Sequence, residues 1–494
     1  MPLGSPYSVP VRRAAAHRPQ GGGAGRVLTV VLALILGVAG TVAMVALPAH
    51  AAPAATTLVL SGTGGTAGAT TTLALELRTT DGRPVAGATV LVERASGGGG
   101  WAPVGTVGTD AAGRATLPAT IDRVPARNAF RASWAGDATY AGAAAATQVR
   151  LTRLGSSLAV TGPGSVTDGA SVDLQVTWRA VDGQPVAGPV RLQRRNAGGK
   201  WRSVTTLRTG PDGTARLRVR PRVDTAWRAR AAALVWVEAA RSGIRSLDNR
   251  PPGDRVRLPK RAPRPRVRLP RQRRAVGEGA NLAVTRIPAG VWRQMTGRSW
   301  RRGCPVGRAG LRLVRVNYWG YDGYRYRGEL VANARAARAM GGALAEMYAA
   351  GHAVRSMYRV DRFGWSKRLR GADDYRSMAA GNTSAFNCRH VVGRPGVRSP
   401  HSYGTALDVN TWENPYRSAR GIVPNRFWQA RSHPNVAWRS RNHAVVRIMA
   451  RHGLRWTYGL GDTQHFDYVG PAGTAGAGRS VAHLHPQCTG FICE

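Results

Sequence analysis

Two short stretches in the last quarter of the sequence alternate polar with apolar residues. Residues 399–410 read Ser-Pro-His-Ser-Tyr-Gly-Thr-Ala-Leu-Asp-Val-Asn, and residues 462–468 read Asp-Thr-Gln-His-Phe-Asp-Tyr. Alternation of this kind is typical of β-strands, whose successive side chains point to opposite faces. We therefore expect Asp408 opposite His465 on neighbouring strands, with His401 on the loop before them. Two imidazoles and one carboxylate form a set that holds zinc and leaves one coordination position open.

Both stretches belong to a larger set of motifs. The patterns S-x-H-x-x-G-x-A-x-D and D-x-x-H-F occur in order with further motifs at residues 300–306, 318–323, 377–378, 382–389 and 413–416. Together they resemble the zinc D-Ala-D-Ala carboxypeptidases and related peptidoglycan peptidases of the M15 (VanY-like) family. The resemblance covers residues 286–470 and implies an α+β zinc peptidase domain with a small antiparallel sheet.

The resemblance also implies a role for five polar residues. His401, Asp408 and His465 match the family's zinc ligands. Asp462 matches the acidic residue that serves first as general base and then as general acid. Arg389 matches a substrate-side arginine, whose guanidinium would bind the substrate carbonyl or carboxylate.

Three further residues have more than one interpretation. Ser399 would either contact the substrate or shape its loop. Asp322 and Asp467 are alternatives to Asp462 as the base. Because Asp467 follows a ligand on the same strand, its position favours a supporting contact to that ligand.

The sequence contains four cysteines, all in the C-terminal region. An even number in an exported protein indicates disulfides, with three possible connectivities. Cys304 and Cys388 both fall in motifs of the family, so we expect them to pair, and Cys488 would then pair with Cys493. A cysteine nucleophile or thiolate zinc site is the alternative, and the absence of C-x-x-C pairs disfavours it.

Residues 1–51 have the pattern of a signal peptide. A polar segment containing arginines precedes an apolar run over residues 27–47, and Ala-His-Ala at 49–51 supplies a small-residue cleavage site. The alternative is an uncleaved anchor, since about twenty apolar residues can span a bilayer. Either reading predicts a secreted, cell-wall-associated protein, which would contact a membrane only if this segment is not cleaved.

An internal repeat follows. Residues 81–87 (Asp-Gly-Arg-Pro-Val-Ala-Gly) recur at 182–188 as Asp-Gly-Gln-Pro-Val-Ala-Gly. Short alternating runs and regular turns surround both copies, without helical stripes. We predict two β-sandwich modules, at residues 54–152 and 155–243, which resemble bacterial immunoglobulin-like modules.

Neither predicted module contains histidine or cysteine, so we interpret the pair as spacer or adhesive modules. Trp101 and Trp201 each follow a glycine-rich turn at equivalent places in the repeat. Packing within the core or a hairpin is the expected role of these rings, and a sugar-binding platform is the alternative.

Residues 244–285 form a predicted linker rich in arginine and proline. Proline blocks helices and central strands, so the segment should be extended and semi-rigid. It is either a solvated spacer or a docking element for anionic wall polymers. The whole chain carries 71 basic against 26 acidic residues, a net charge of +45, which predicts attraction to polyanions. We expect no nucleic-acid partner, because the linker lacks interleaved aromatic residues and the protein is exported.

The C-terminal region has mixed periodicities. Residues 311–318 alternate as a strand, whereas apolar residues from Leu330 to Tyr348 recur at helical spacing. A second helix is expected over residues 443–452, ending before Gly453. Residues 471–494 form a tail that carries the second cysteine pair.

The predicted architecture is multidomain: two all-β immunoglobulin-like sandwiches, then the linker and the zinc peptidase domain. The expected function is hydrolysis of peptidoglycan stem peptides by a D-Ala-D-Ala carboxypeptidase, with an endopeptidase acting on another stem-peptide bond as one alternative. A non-catalytic wall-binding or adhesive protein with a degenerate zinc domain is the other. Intact ligands together with Asp462 favour the enzyme, because a degenerate site is expected to lose some of them.

Overall fold

The computed structural model describes residues 52–391, 394–418 and 421–471. The predicted signal peptide and the predicted Cys488–Cys493 pair lie outside the described residues. Within them the chain is mostly β, with many small sheets along its length, which confirms a multidomain, mostly β architecture. The immunoglobulin-like class of the β modules remains a prediction. Among the described helices, none has the length and apolarity that crossing a bilayer requires.

The first β module consists of two larger sheets on one core and a two-stranded sheet. Its strands are β1 (Thr56–Gly62), β2 (Gly65–Thr66), β3 (Thr70–Thr79), β4 (Thr89–Ala95), β5 (Trp101–Gly108), β6 (Arg114–Thr120), β7 (Ala129–Gly136), β8 (Ala141–Gln148) and β9 (Leu151–Thr152). One larger sheet has the order β1-β3-β6 and the other β5-β4-β7-β8, and β2 and β9 form the two-stranded sheet. Alternate residues such as Leu75 and Leu77 of β3 share the buried core with Val90 and Val92 of β4, as period-2 alternation predicts.

The second β module repeats this plan. Its strands are β10 (Ser156–Thr161), β11 (Ser165–Thr167), β12 (Val172–Ala180), β13 (Pro189–Asn196), β14 (Arg202–Arg208), β15 (Thr214–Val219), β16 (Thr225–Ala231), β17 (Ala240–Arg241) and β18 (Arg245–Arg250). The sheets have the orders β10-β12-β15 and β11-β18-β16-β13-β14, with β17 paired to β16. Trp178 and Trp227 are buried between them.

Strand β18 lies within the segment that the sequence assigned to the linker. It pairs with β11 and β16, and Leu247 is fully buried in the module's core. Residues 245–250 contain no proline, so their backbone N–H groups can complete these ladders. The sheet therefore extends seven residues beyond 243, to Arg250.

The internal repeat is preserved in three dimensions as a hydrogen-bonded clip. In each module a buried threonine hydroxyl donates to the carbonyl of the valine in the repeated turn. Thr109 Oγ1 donates to Val85 O at 2.7 Å, and Thr209 Oγ1 donates to Val186 O at 2.6 Å. Each clip fixes the turn against the end of the next hairpin strand, so the repeated residues have repeated contacts.

In its described residues, the C-terminal region contains two three-stranded antiparallel sheets, three two-stranded ones and four α-helices. Its elements are β19 (Ala283–Arg286), α1 (Ala289–Met295), β20 (Leu311–Trp319), β21 (Arg325–Asn333), α2 (Ala337–Ala349), β22 (Trp365–Ser366), β23 (Gly371–Ala372), α3 (Asp374–Ala379), β24 (His390–Val391), β25 (Arg394–Arg398), β26 (Ala406–Asp408), β27 (Tyr416–Ser418), β28 (Gly421–Val423), α4 (Ala444–Arg451), β29 (Leu454–Arg455) and β30 (His465–Tyr468). The sheets β19-β20-β21 and β26-β30-β29 share one core with α2 and α4.

The helix expected from Leu330 onward begins only at Ala337, so that prediction was wrong in its first part. Leu330 lies in β21, which pairs with β20 along its whole length. Leu330 and Ala332 face the core as alternate residues of that strand, because antiparallel pairing outweighs a chance match to helical spacing. The helix expected over 443–452 is α4, and His443 caps it by accepting from the Val445 amide at 3.2 Å.

Residues 251–275, called the strap below, lie against the C-terminal region. Gly253 N donates to Gly323 O at 3.1 Å near the start of the strap. Further along, Trp412 Nε1 donates to Pro263 O at 2.7 Å. Prolines lack the N–H group but keep the carbonyl, so the strap supplies acceptors to donors on the surface beneath it.

Replacing Trp412 with Phe tests whether this contact holds the strap. Phenylalanine keeps an aromatic ring but has no N–H group, so the hydrogen bond to Pro263 O is lost. This loss should cost about 1 kcal/mol. We expect faster trypsin cleavage after Arg266 and Arg268. Trp365→Phe is the control, since that ring is 43% exposed and, among the described residues, makes no hydrogen bond to the strap. Identical cleavage rates in both variants would contradict docking through Trp412.

Candidate metal centre

Strands β26 and β30 place two of the predicted ligands side by side. Their antiparallel register pairs Asp408 with His465, as the alternating patterns predict. Asp408 Oδ1 lies 3.2 Å from His465 Nδ1, and Asp408 Oδ2 lies 3.2 Å from His401 Nε2. One possible ligand atom from each residue lies within 4.8 Å of the others. The structure thus brings the three predicted ligands into one cluster that could hold a metal ion.

A short 3-10 turn, Pro400–Tyr403, positions His401. Ser399 begins the turn, and its Oγ accepts from the backbone N–H of His401 at 3.3 Å. Gly404 ends it with a φ of 68°, and a Cβ there would lie 2.8 Å from Asn333 N, which explains the need for glycine. Ser399 is fully buried and shapes the loop, whereas its contact with substrate remains a prediction.

Each histidine uses its second ring nitrogen for an outer contact. His401 Nδ1 lies 2.6 Å from Ala385 O. A carbonyl can only accept, so Nδ1 carries the proton and the lone pair of Nε2 is left for a metal. His465 Nε2 lies 3.1 Å from Asp467 Oδ1, which leaves Nδ1 on the side of Asp408. The nitrogens that face Asp408 are therefore the ones available to a metal, and Asp467 supports a ligand.

The cluster is buried and internally charge-compensated. His401, Asp408 and His465 are 2%, 3% and 0% exposed. Burial alone would raise the pKa of Asp408, but attraction and hydrogen bonds from both histidines outweigh it and lower that pKa. Burial alone would lower the pKa of His401, but attraction to Asp408 outweighs it and raises that pKa. An ionised carboxylate between two imidazoles suits a divalent cation.

Asp462 is fully buried three residues before His465. It follows the 3-10 turn Gly459–Gly461, at the entrance to the strand that carries the ligand. Of the alternative bases, Asp322 accepts a hydrogen bond from Tyr326 OH at 2.6 Å. The role of Asp462 as the base remains a prediction from the family resemblance.

Arg389 is buried and lies near enough to His401 to oppose the protonation of that imidazole. Its Nη2 lies 2.8 Å from Asp374 Oδ2. This partner has no signature in the sequence. Asp374 follows Asp373, the N-cap of α3, and two carboxylates there are the ordinary pattern of a helix start. Only the fold brings Asp374 to Arg389.

The Cys304–Cys388 disulfide anchors the segment that carries Arg389. This confirms the expected pairing. Arg301 also donates from Nη1 to Cys388 O at 2.7 Å. Because Cys388 directly precedes Arg389, a covalent bond and a hydrogen bond fix the backbone on one side of the buried guanidinium.

A family model described as D-alanyl-D-alanine carboxypeptidase, from the M15 peptidases, matches residues 392–468. The match includes the three residues of the metal cluster and Asp462. The chain therefore carries an M15-family peptidase domain at its C-terminus. M15 peptidases are zinc enzymes, and His401, Asp408 and His465 form a possible metal site in this domain. No curated protein matches the sequence.

Solved structures with similarity to the chain include bacterial alpha-2-macroglobulins. A Salmonella point mutant is 12% identical with a TM-score of 0.18, the methylamine-reacted Salmonella protein 13% with 0.20, and the native E. coli protein 10% with 0.19. Each alignment covers 54% of this chain and 18% of the other, so the chain spans under a fifth of their length. Similarity at this level carries no functional argument.

Zinc titration of the full chain tests the cluster. His401→Ala removes a predicted ligand and should abolish stoichiometric zinc binding in a competition assay with a chelating dye. Asp467→Asn keeps all three ligands but alters the group that orients His465, so zinc affinity should fall about ten- to a hundredfold. His452→Ala is the control, because His452 Nε2 contacts Glu346 at 2.9 Å, outside the cluster. Parental zinc affinity in His401→Ala would contradict the assignment.

Proposed function

We propose that this protein is a secreted zinc peptidase that hydrolyses peptidoglycan stem peptides. The bond that we propose it cleaves is the terminal D-Ala-D-Ala bond. The observation that carries the proposal is the buried cluster of His401, Asp408 and His465 within the region matched by the M15 model. Two imidazoles and a carboxylate are typical of catalytic zinc sites with one open position. When bound, zinc supplies polarisation of the scissile carbonyl and a lowered pKa of water.

The chain's own residues define how the metal would be held. His401 would bind through Nε2 and His465 through Nδ1, because Ala385 O and Asp467 engage the opposite ring nitrogens. Asp408 would bind from between them. These outer contacts fix ring orientation and tautomer before a metal arrives, so little reorganisation is needed on binding.

Asp462 is the proposed proton carrier. Its carboxylate would take a proton from the attacking water and return it to the leaving amine. Full burial keeps bulk water away, so the electrostatic interactions of the carboxylate with reacting groups are weakly screened.

Arg389 is the proposed substrate-binding cation. Asp374 holds Nη2 at 2.8 Å, and Nη1 donates to His390 O at 3.3 Å. Arginine carries its N–H donors in a planar, rigid fork, and these contacts fix the orientation of that fork. The substrate carbonyl or terminal carboxylate would accept a hydrogen bond from it. Asp374 is then a positioning residue.

The remaining parts of the chain are proposed to place the peptidase at the cell wall. The pattern over residues 1–51 supports export, and the net charge of +45 supports retention on anionic wall polymers. In the second module, Arg195 and Arg228 lie 5.0 and 4.2 Å from the ring of Trp201. These guanidinium contacts occupy the ring and favour a packing role over sugar binding.

Asp462→Asn separates catalysis from metal binding. The amide keeps the size of the side chain but cannot carry the proton, so turnover of a stem pentapeptide should fall by about a hundredfold to ten-thousandfold. Zinc content and the thermal unfolding midpoint should persist. Asp467→Asn at saturating zinc should lose less turnover. Near-parental turnover in Asp462→Asn would remove this residue from the proposed mechanism.

Mass spectrometry of defined muropeptides identifies which peptide bond is cleaved. After incubation with the zinc-loaded full chain, a carboxypeptidase removes only the terminal D-alanine of a pentapeptide stem. Cleavage at an internal bond would instead identify an endopeptidase. Intact muropeptides in the presence of bound zinc would contradict the enzyme and return the chain to a wall-binding role.

A further inference from the structure

A basic cavity of about 660 Å³ lies between the strap and the C-terminal region. Residues 270–274 of the strap form one wall. The other walls come from α1, β20, β21 and residues 357–362. These elements are different from the strands and loop that carry the metal cluster, so the cavity is a second, separate feature.

The backbone holds the strap in place at this cavity. Arg327 N donates to Arg273 O at 2.8 Å, and Ala275 N donates to Arg325 O at 2.9 Å. The side chain of Gln272 adds a bond from Nε2 to Arg327 O at 2.9 Å. Because these bonds do not use the guanidinium groups of the strap, the arginine side chains are available for a ligand.

Positive charge dominates the cavity. Seven arginines line it together with a single acidic residue, Glu329. Arg315 and Arg359 share that glutamate, at 2.7 and 3.3 Å, and Arg359 also pairs with the buried Asp361 at 3.0 Å. Two carboxylates cannot neutralise seven guanidinium groups, so the cavity retains a large excess of positive charge.

Several of these cations have no acidic partner. In residues 52–391, 394–418 and 421–471, no carboxylate lies within ion-pair distance of Arg271, Arg273 or Arg362. Arg274 stacks over Tyr324 at 3.6 Å, and its Nε and Nη1 are buried without a hydrogen-bond acceptor in that same part of the chain. The guanidinium of Arg274 is thus already held by the protein, and Arg271, Arg273 and Arg362 are the cations that an anionic ligand would compensate.

We propose that this cavity binds the phosphate groups of a polyol-phosphate polymer of the cell wall. Guanidinium forks match phosphate oxygens, and the volume suits a short segment of such a chain. Arg264, Arg266 and Arg268 continue along the strap as exposed alternate residues, spaced about 7 Å apart if the backbone is extended. A row of cations leading from a cavity suits a ligand that repeats its charge.

The aromatic rings at the cavity argue against nucleic acid as the ligand. Tyr358 is the one aromatic residue that lines the cavity, and Arg274 covers Tyr324 and Tyr326 nearby. A single ring is a poor stacking platform for successive bases. The choice of a cell-wall polymer as the ligand rests on the proposed function, because a secreted wall peptidase would be surrounded by such polymers. The binding site itself does not depend on peptidase activity.

Two double variants of the full chain test the cavity against diffuse attraction. Arg271→Gln with Arg273→Gln removes two charges from the cavity wall. Arg266→Gln with Arg268→Gln removes the same charge from the neighbouring part of the strap. Binding of a defined glycerol-phosphate oligomer, measured by fluorescence anisotropy, should weaken about tenfold or more in the first variant and distinctly less in the second. Circular dichroism checks that both variants are folded.

Other outcomes overturn the proposal. Equal loss of oligomer affinity in the two variants would mean that the strap attracts the oligomer only through its total positive charge, without a specific site in the cavity. A single-stranded oligonucleotide of equal charge that binds as tightly, with the same dependence on Arg271 and Arg273, would overturn the choice of polymer. Turnover of a small soluble stem peptide is measured in parallel. If it is absent from the parent chain while oligomer binding depends on the cavity, the proposed peptidase function fails and the binding site stands.

Discussion

The buried carboxylate of Asp408 is the constraint on which the metal centre depends. A charge taken out of water must be compensated nearby, and here His401 and His465 provide the compensation from opposite sides. Each histidine is oriented in turn by an acceptor behind it. The arrangement also requires the register between β26 and β30, because a slip of one residue would turn Asp408 toward the core. Leu407 and Phe466, both fully buried, hold that register. Packing on one face of the strands therefore fixes the positions of Asp408 and His465 on the other face.

Local periodicity is sufficient to predict this part of the site. The alternation around Asp408 and His465 fixes which side chains share a face, and the register of β26 with β30 agrees with it. The same reasoning fails at Leu330, where spacing compatible with a helix is overridden by a long ladder with β20. It also cannot find Asp374, whose contact with Arg389 depends on how α3 packs. Contacts between distant elements have no periodic signature, so the ligands were predictable and the support of the arginine was not.

The strap shows the same limit for an irregular segment. The strap, all of which the structure describes, contains no helix and none of the strands β1–β30, as its prolines predict. Whether such a chain stands in solvent or lies on a surface depends on donors elsewhere, such as the indole of Trp412, 149 residues away from Pro263. Composition therefore describes the conformation of the segment but not its location. Because the strap lies on this surface, several of its arginines line one cavity. Positive charge is therefore concentrated at that place.

The docked strap also determines how far the catalytic region can travel from the second β module. A free linker of this length would let the C-terminal region move over a wide range of positions relative to the second β module. Here the last strand of the module ends at Arg250, and Gly253 is already bonded to Gly323. Only residues 251 and 252 lie between the two anchored points. The C-terminal region is thus joined to the second β module by a short connection rather than by a long free linker.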